Sequence, residues 1–412
     1  MTLICAKCTI EGKKLLNNRS DERESMKAAN SLMSGLGTTV FEVMSALARE
    51  HQSVNLGQGF PDDKGPEEVR QAAADYLMNG HNQYPPMMGI PELRQAVGEH
   101  ARRFQGLDID WQSEVLVTSG ATEALGDCLF GLIEPGDEVV LIEPLYDSYL
   151  PIVRRAGGVP RLVRLEPPTW HLPREELAAA FNDRTKLILF NTPMNPCSKV
   201  FDREELQFIA DLCLRHDTYA VCDEVYEHII FDGRRHLSIM TLPGMRQRTA
   251  RIGSAGKSFS VTGWKVGYVT AAPEMLKPIA KTHQFMTFTT PPNLQWGAAT
   301  GLRLDERYFS SLAADMERKR DRLANALSDV GFEVLPAEGT YFVTTDFRPL
   351  GFNGTDEDFC RHITVKAGVT AVPVSAFYDN PDSAPRHFAR FCFCKHDQTL
   401  DTAIDRLSRH FS

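Results

Sequence analysis

The sequence predicts an α/β protein, with a large domain whose mostly parallel sheet is covered by helices and a smaller α+β domain built from N- and C-terminal segments. Between about residues 65 and 300, apolar runs of strand length alternate with segments of helical periodicity, as in a parallel sheet. From about residue 306, a long amphipathic segment precedes short strand-like runs. We therefore divide the chain into an N-terminal extension (1–33), an N-terminal arm (34–62), a large domain (63–305) and a small C-terminal domain (306–412).

The predicted elements follow from these two periodicities. Apolar runs of four to seven residues predict strands at 115–118, 138–142, 186–190, 219–223, 249–253 and 266–270, and in the smaller domain at 333–336, 340–345 and 387–393. Segments with a helical repeat of apolar residues predict helices at 66–79, 91–104, 121–132, 148–156, 203–216 and 308–330.

Composition limits the classes of function. The chain has 412 residues, of which 42% are hydrophobic, and this is ample for a large core. A net charge of -9 spread along the chain disfavours nucleic acid as a partner. We see no apolar run of membrane-spanning length, so no membrane association is expected. The first residues lack the apolar region and cleavage site of a signal peptide.

The nine cysteines predict reduced thiols and a cytoplasmic location, because their number is odd and they are scattered along a long chain. Cys5 and Cys8 have the spacing of a zinc ligand pair, but no second pair follows at a suitable distance, so no metal is predicted. Cys392 and Cys394 alternate within an apolar run and are expected on one face of a buried strand.

The segment Ser254-Ala-Gly-Lys257-Ser-Phe-Ser-Val-Thr-Gly-Trp-Lys265 says most about chemistry. It places Lys257 in a loop of small residues, with a hydroxyl three residues before it and a second cation eight after. This suits a lysine that forms a Schiff base with an aldehyde cofactor while its neighbours hold a phosphate. The alternative is a solvated lysine in a turn. A nucleotide-binding P-loop is disfavoured, because Arg251 stands where that loop needs a glycine.

Other polar residues also follow predicted strands. Ser119-Gly-Ala-Thr122 opens a helix and offers N–H groups and a hydroxyl to a phosphate, Asn195 lies in a proline-rich turn, and Asp223 ends an apolar strand. Taken singly, these are an ordinary helix start, a turn residue and a helix cap. Because the carboxyl ends of parallel strands meet at one edge of a sheet, we expect these residues and Lys257 in one crevice.

With these motifs the chain resembles the fold-type I, class I/II pyridoxal-phosphate aminotransferases, and within them the group that handles kynurenine, glutamine and methionine. The similarity runs from about residue 34 to 411. It is carried by the lysine segment and by Asn55-Leu-Gly-Gln-Gly-Phe-Pro-Asp, Asn82-Gln-Tyr, Asn191-Thr-Pro-Met-Asn-Pro, Asp223-Glu-Val-Tyr226 and Arg390-Phe-Cys-Phe.

The resemblance implies a role for each matching residue toward pyridoxal 5'-phosphate. Lys257 would bind the cofactor as a Schiff base and carry the transferred proton, and Asp223 would pair with the pyridine nitrogen. Asn195 and Tyr226 would hydrogen-bond the phenolic oxygen of the ring. Tyr146 would stack on the ring. The phosphate would be bound by Ala121, Thr122, Ser254, Lys265 and the Tyr84 of a second subunit.

The resemblance also implies a substrate site. Arg390, with Asn195 and the backbone of Gly59, would clamp the α-carboxylate in fork geometry. From the residues alone, Arg390 within an apolar strand is also consistent with an internal ion pair. Phe288 would line the side-chain pocket, in a segment where kynurenine-type relatives often carry a histidine and this chain has Thr289.

The preferred side chain of the substrate is predicted from groups that the sequence lacks. Val40 and Phe41 occupy the stretch where some relatives place a tryptophan over the substrate. No second arginine stands out for a dicarboxylate, and Arg307 and Arg386 are not placed by sequence. A neutral, apolar or aromatic pocket is therefore expected.

The predicted function is a cytoplasmic, homodimeric aminotransferase with an active site shared between subunits. It would move the amino group of a donor such as methionine, glutamine, kynurenine or phenylalanine to a 2-oxo acid by a ping-pong mechanism. A carbon–sulfur β-lyase would use the same residues and stays an alternative. A sensor domain of a transcription regulator is disfavoured, because about 35 residues before the similarity do not suffice for a DNA-binding domain.

Overall fold

The computed structural model describes residues 27–412, so Cys5 and Cys8 lie outside the described residues. Its strands are β1 (Val54–Asn55), β2 (Val115–Thr118), β3 (Glu138–Glu143), β4 (Val159–Arg164), β5 (Thr185–Asn191), β6 (Tyr219–Asp223), β7 (Thr249–Ser254), β8 (Gly267–Thr270), β9 (Glu333–Val334), β10 (Phe342–Asp346), β11 (Val369–Thr370), β12 (Val372–Pro373) and β13 (Phe388–Cys392).

The α-helices are α1 (Ser31–Gly35), α2 (Val40–Glu50), α3 (Glu67–Asn79), α4 (Pro91–Gln105), α5 (Trp111–Glu114), α6 (Gly120–Leu132), α7 (Tyr149–Arg155), α8 (Arg174–Ala180), α9 (Arg203–Arg215), α10 (Ala255–Ser258), α11 (Pro273–Met286), α12 (Pro292–Leu302), α13 (Glu306–Val330), α14 (Asp356–His362) and α15 (Asp397–Phe411). Short 3-10 helices lie at Ile239–Thr241, Thr262–Trp264, Arg348–Leu350, Val374–Phe377 and Pro381–Ser383, and a π-helical turn at Ile363–Ala367.

A seven-stranded sheet carries the candidate site. Its order is β2-β8-β7-β6-β5-β3-β4, and all neighbours are parallel except β8, which is antiparallel to β2 and β7. Side chains of its central strands enter apolar cores on both faces: Leu187 and Leu189 contribute to one core, and Ile188 and Phe190 to the other. Burial on both faces explains why these strands read as continuous apolar runs. The predicted mostly parallel α/β fold is confirmed.

The edge strand β4 is one element that the sequence-based assignment missed. Val159 and Leu162 are exposed, so the strand lacks the apolar run of its buried neighbours. It pairs with β3 over the full length of both strands. Backbone pairing at the sheet edge, rather than burial of side chains, therefore defines this strand.

A smaller antiparallel sheet, in the order β12-β13-β10-β9, contains the C-terminal strands. The N-terminal strand β1 pairs in parallel with β11, so N- and C-terminal segments are hydrogen-bonded to each other. The long helix α13 packs against α15 and β9. Both sheets belong to one compact unit of residues 38–412. The domain boundaries at 62/63 and 305/306 stay predictions.

Within residues 27–412, one stretch is long and apolar enough to cross a membrane by length and composition, namely Ser31–Glu50. This differs from our expectation that no apolar run approaches that length. The stretch consists of two helices, since α1 ends at Gly35 and α2 begins at Val40. Because soluble proteins contain such segments as well, a single one does not define a membrane span.

Candidate active site

One cavity of about 470 Å³ lies at the carboxyl ends of β2, β5, β6 and β7, within the size range of small-molecule sites. Its lining contains all residues predicted for the site except Tyr84 and Phe288: Gly59, Ala121, Thr122, Tyr146, Asn195, Asp223, Tyr226, Ser254, Lys257, Lys265 and Arg390. The strand-end residues therefore do face one crevice, together with Arg390 from β13.

Lys257 lies in the single-turn helix α10, directly after β7. Its amine is 3.3 Å from the carbonyl oxygen of Gly59 and lies over the rings of Tyr226 and Tyr341, 5.4 and 5.7 Å from their centroids. Burial lowers the pKa of the Lys257 amine. A lowered pKa increases the share of unprotonated, nucleophilic amine, which is the form that attacks an aldehyde.

Asp223 ends β6 and is buried. The hydroxyl of Tyr149 donates a 2.8 Å hydrogen bond to one carboxylate oxygen, and the backbone N–H of Val225 donates to the other at 3.3 Å. Burial raises the pKa of Asp223 to about 6, although the Tyr149 hydrogen bond acts in the opposite direction. A buried carboxylate with few donors favours a cationic partner inside the cavity.

The start of α6 forms an anion cradle. Ser119 precedes the helix, and Gly120 has a φ of 77°, a left-handed conformation that glycine adopts without strain. A Cβ at Gly120 would lie 3.1 Å from the Lys265 amine, and one at Gly267 would lie 2.6 Å from the Gly120 carbonyl carbon. Unpaired N–H groups at a helix start, with a cation beside them, bind phosphate well.

Arg390 is almost fully buried and contacts no carboxylate among the described residues. Its guanidinium donates to the side-chain oxygen of Asn195 at 2.6 Å and to the carbonyl of Gly57 at 2.7 Å, and lies 3.8 Å from the ring centroid of Phe342. Its Nε has no hydrogen-bond partner in the described chain. The internal ion pair, the alternative from sequence, is absent from this region, and the unpaired charge suits a ligand carboxylate.

Gly57 and Gly59 place backbone carbonyls beside two cations of the cavity. The Gly59 carbonyl accepts from Lys257, and the Gly57 carbonyl accepts from Arg390. The Gly59 backbone as a group for the substrate α-carboxylate stays a prediction. A Cβ at Gly59 would lie 2.3 Å from the ring of Phe342, which shows how closely this loop approaches the ring. Both glycines belong to the Asn55–Asp62 motif, but the sequence does not tell which carbonyl faces which cation.

Tyr84 and Phe288 do not line the cavity of this chain. They lie together at the surface, with ring centroids 5.6 Å apart, and Tyr84 is 83% exposed. Folding of a single chain therefore leaves both outside the cavity.

Several residues at the site were missed by sequence reasoning. Tyr149 holds Asp223, Phe342 stacks on Arg390, and Asp147 and Gln58 line the cavity. Tyr149 and Asp147 belong to Tyr146-Asp-Ser-Tyr149, so two more polar groups in this segment were the available signal. The role of Phe342 has no local signal, because it depends on pairing between β10 and β13.

Comparisons with known proteins agree with this geometry. The family model for aminotransferase class I and II matches residues 51–407. A probable N-succinyldiaminopimelate aminotransferase of Mycobacterium tuberculosis is 42% identical over 380 residues, which cover 90% of this chain and 96% of the relative. The methionine aminotransferase of Escherichia coli is 39% identical over 372 residues, with 90% and 96% covered. Human kynurenine–oxoglutarate transaminase 3 is 38% identical over 427 residues, with 96% and 93% covered.

Solved structures give the same result. The structure of the Mycobacterium tuberculosis N-succinyldiaminopimelate aminotransferase matches with a TM-score of 0.90 and covers 93% of this chain and 100% of its own. The Escherichia coli methionine aminotransferase matches with a TM-score of 0.89, covering 93% and 99%. The fold is thus that of an amino-group transferase. The chain belongs to the class I and II aminotransferase family, and it is an aminotransferase.

Proposed function

We propose that this aminotransferase uses pyridoxal 5'-phosphate to move the amino group of a neutral or aromatic amino acid to a 2-oxo acid by a ping-pong mechanism. One observation carries the proposal: the half-buried Lys257 amine, the buried Asp223 carboxylate and the anion cradle of α6 all open into one cavity. An aldehyde, a ring nitrogen and a phosphate on one small molecule would match these three groups.

The residues present fit this cofactor. Its phosphate fits the N–H groups of Ala121 and Thr122, the Ser254 hydroxyl and the Lys265 amine, at the point where Gly120 and Gly267 leave no room for a side chain. Asp223 fits a protonated pyridine nitrogen. When bound, pyridoxal 5'-phosphate supplies an electron sink for the bonding electrons of the substrate Cα.

The chain's own residues do the remaining work. Lys257 would hold the aldehyde, and its Nζ would accept the proton of the substrate Cα. Asp223 would keep the pyridine nitrogen protonated, with Tyr149 fixing the carboxylate. Asn195 and Tyr226 would hydrogen-bond the ring oxygen, and Tyr146 would cover the ring face.

Arg390 is the group for the substrate α-carboxylate, because its charge is unpaired and its Nε–H is unused within the described chain. Phe342 and Asn195 hold the guanidinium plane in place. The α-carboxylate of the amino acid, and of the 2-oxo acid that follows it, would therefore bind at the same fork.

A neutral substrate side chain is favoured by the charges around the cavity. Its lining cations within residues 27–412 are Lys257, Lys265 and Arg390, and each has a role already. Asp147 adds a negative charge. Of the arginines that sequence left unplaced, Arg386 donates to Asp356 and Arg307 is a surface residue near Asp305. Among residues 27–412, a side-chain carboxylate would find no further counter-charge in the cavity lining.

Methionine, glutamine, kynurenine and phenylalanine are the proposed donors. The named activities of the relatives, on methionine, kynurenine and N-succinyldiaminopimelate, all belong to transaminases, and this favours amino transfer over the β-lyase alternative. Phe41 and Phe342 supply apolar walls beside Arg390.

A homodimer with shared active sites is part of the proposal. Tyr84, Phe288, Phe285 and Met286 are exposed apolar side chains, a set that favours burial against another chain. A second copy would then bring its Tyr84 to the phosphate of this one.

We also propose a cytoplasmic location. The seven described cysteines, Cys128, Cys197, Cys213, Cys222, Cys360, Cys392 and Cys394, are buried thiols without a disulfide. Free thiols of this number are typical of a reducing compartment.

The test is a set of half-reactions with the purified holoenzyme. We expect methionine, glutamine, kynurenine and phenylalanine to change the cofactor absorbance in the absence of any 2-oxo acid. Lys257→Ala should remove the change and the turnover, whereas Lys281→Ala, which truncates a surface lysine of α11, should leave both intact. Normal turnover by Lys257→Ala would overturn the proposal, as would release of pyruvate and ammonia from a cysteine conjugate as the main reaction.

A further inference from the structure

A second group of polar side chains lies between α6 and α11. Glu123 and Asp127 are one turn apart on α6, and His283 is in the last turn of α11. One ligand atom from each lies within 4.8 Å of the other two. None of the three lines the proposed active-site cavity. Their side chains are buried, with exposed fractions of 11%, 1% and 0% for Glu123, Asp127 and His283.

His283 is oriented as metal-ligating histidines are. Its Nε2 is 3.1 Å from the carbonyl oxygen of Met87, which only accepts, so Nε2 carries a proton. In the neutral ring, Nδ1 then presents its lone pair to the Glu123 carboxylate at 2.9 Å. Two acceptors at this distance need a proton or a cation between them. A histidine that ligates a metal through one ring nitrogen commonly donates the N–H of the other to a backbone carbonyl, as Nε2 of His283 does to Met87.

Asp127 supplies the second, independent observation. Its Oδ2 is buried and has no hydrogen-bond partner in the described chain, and it points toward His283 with 3.8 Å between Oδ2 and Nδ1. An unpaired buried carboxylate is costly.

The charges also call for a cation. Within residues 27–412, neither Glu123 nor Asp127 forms an ion pair with a lysine or arginine. A divalent ion would balance two carboxylates beside a neutral imidazole. The other histidine cluster differs, because Glu227 near His100 and His228 already receives a hydrogen bond from Arg251.

We propose that Glu123, Asp127 and His283 bind a divalent transition-metal ion of the zinc type, with water as a further ligand. Two carboxylate oxygens and one imidazole nitrogen suit zinc, whereas magnesium prefers oxygen ligands alone. The ion would join α6 to α11. The ion would also fix the start of α6, which forms the anion cradle, because Glu123 accepts a hydrogen bond from the N–H of Ser119.

Calorimetric titration of the chelator-treated holoenzyme with ZnCl2 tests the proposal. Wild type should bind one zinc ion per chain at this site, and Asp127→Asn should weaken that site at least roughly tenfold. Asparagine keeps the shape of the carboxyl and lacks its charge. His100→Gln, in the other histidine cluster, is the matched control and should retain the site. MgCl2 in place of ZnCl2 should give no comparable binding.

Cobalt supplies a spectroscopic readout that wild-type protein gives on its own. CoCl2 added to wild-type holoenzyme should give visible d–d absorption that saturates at one equivalent, and Asp127→Asn and His283→Gln should lose it. Equal zinc affinity of wild type and a folded Asp127→Asn would overturn the proposal. If the variants do not fold, as judged by circular dichroism, the wild-type titration decides: no saturable d–d absorption means no such site. Neither result bears on the aminotransferase assignment, which rests on Lys257 and the cavity.

Discussion

Removing the Tyr149 hydroxyl tests how the chain keeps Asp223 ionised. In Tyr149→Phe, Asp223 loses its 2.8 Å hydrogen bond in a buried setting where burial has already raised its pKa to about 6. A hydrogen bond to a charged group contributes about 1.5–3 kcal/mol, and 1.36 kcal/mol corresponds to one pH unit. The pKa of Asp223 in the cofactor-free protein should therefore rise by roughly one to two pH units.

The sign of the effect follows from which form binds the cofactor. The carboxylate pairs with a pyridinium, so cofactor affinity is full above the pKa of Asp223 and falls as the pH drops through it. Wild type should lose affinity below about pH 6. In Tyr149→Phe the loss should begin one to two pH units higher, so that at pH 7 roughly a half to a tenth of Asp223 is ionised. Lys257 and Glu224, the other charges acting on Asp223, are the same in both proteins.

The measurement is the affinity of the cofactor-free protein for pyridoxal 5'-phosphate between pH 6 and pH 9. Tyr149→Phe should bind about two- to tenfold more weakly than wild type at pH 7 and approach wild type at pH 9. Tyr378→Phe is the control, since that buried hydroxyl has no hydrogen-bond partner in the described chain. A deficit that is constant across this pH range, or no deficit, would refute the electrostatic role of Tyr149.

Three further outcomes are expected. Arg390→Lys should raise the KM for the amino donor roughly tenfold or more while the cofactor spectrum is kept, because an ammonium cannot bind Asn195 and a carboxylate in fork geometry; steady-state kinetics checks this. Asp147→Asn should increase the half-reaction rate with aspartate several-fold relative to methionine, and an unchanged ratio would contradict our view of the pocket charge. Arg251→Met should lower the free energy of unfolding by about 3–5 kcal/mol in urea titrations, because it leaves Glu224 and Glu227 buried without their cation.

How far the sequence predicts this fold depends on burial. The strands β3, β5 and β6 were predicted within one or two residues, since side chains on both faces are apolar. The edge strand β4 was missed because backbone pairing alone defines it. Helices α11 and α12 were also left unassigned. They form much of the packing against α6 and α3, yet Pro278 interrupts the first and small residues fill the second.

The residues of the candidate site also divide into those that the sequence predicts and those that it does not. Residues at strand ends, such as Asp223 and Lys257, are predictable because the topology of a parallel sheet brings strand ends together. The roles of Tyr149 and Phe342, and the contact of the Gly57 carbonyl with Arg390, depend on side-chain directions and long-range pairing, which a local pattern does not contain.

The charges of the cavity would suit both the proposed phosphorylated cofactor and an amino acid. Lys257, Lys265 and Arg390 face Asp147 and Asp223, and burial lowers the pKa of Lys257 and brings that of Arg390 down to about 10. Cations that outnumber the carboxylates around a cavity are stabilised when anions enter. A phosphate at the α6 cradle and an α-carboxylate at Arg390 supply those anions at opposite parts of the cavity. Among the described residues, a third anion on a dicarboxylate side chain would meet Asp147 instead of a further lining cation. The charge balance proposed for the cofactor would therefore also favour a neutral side chain.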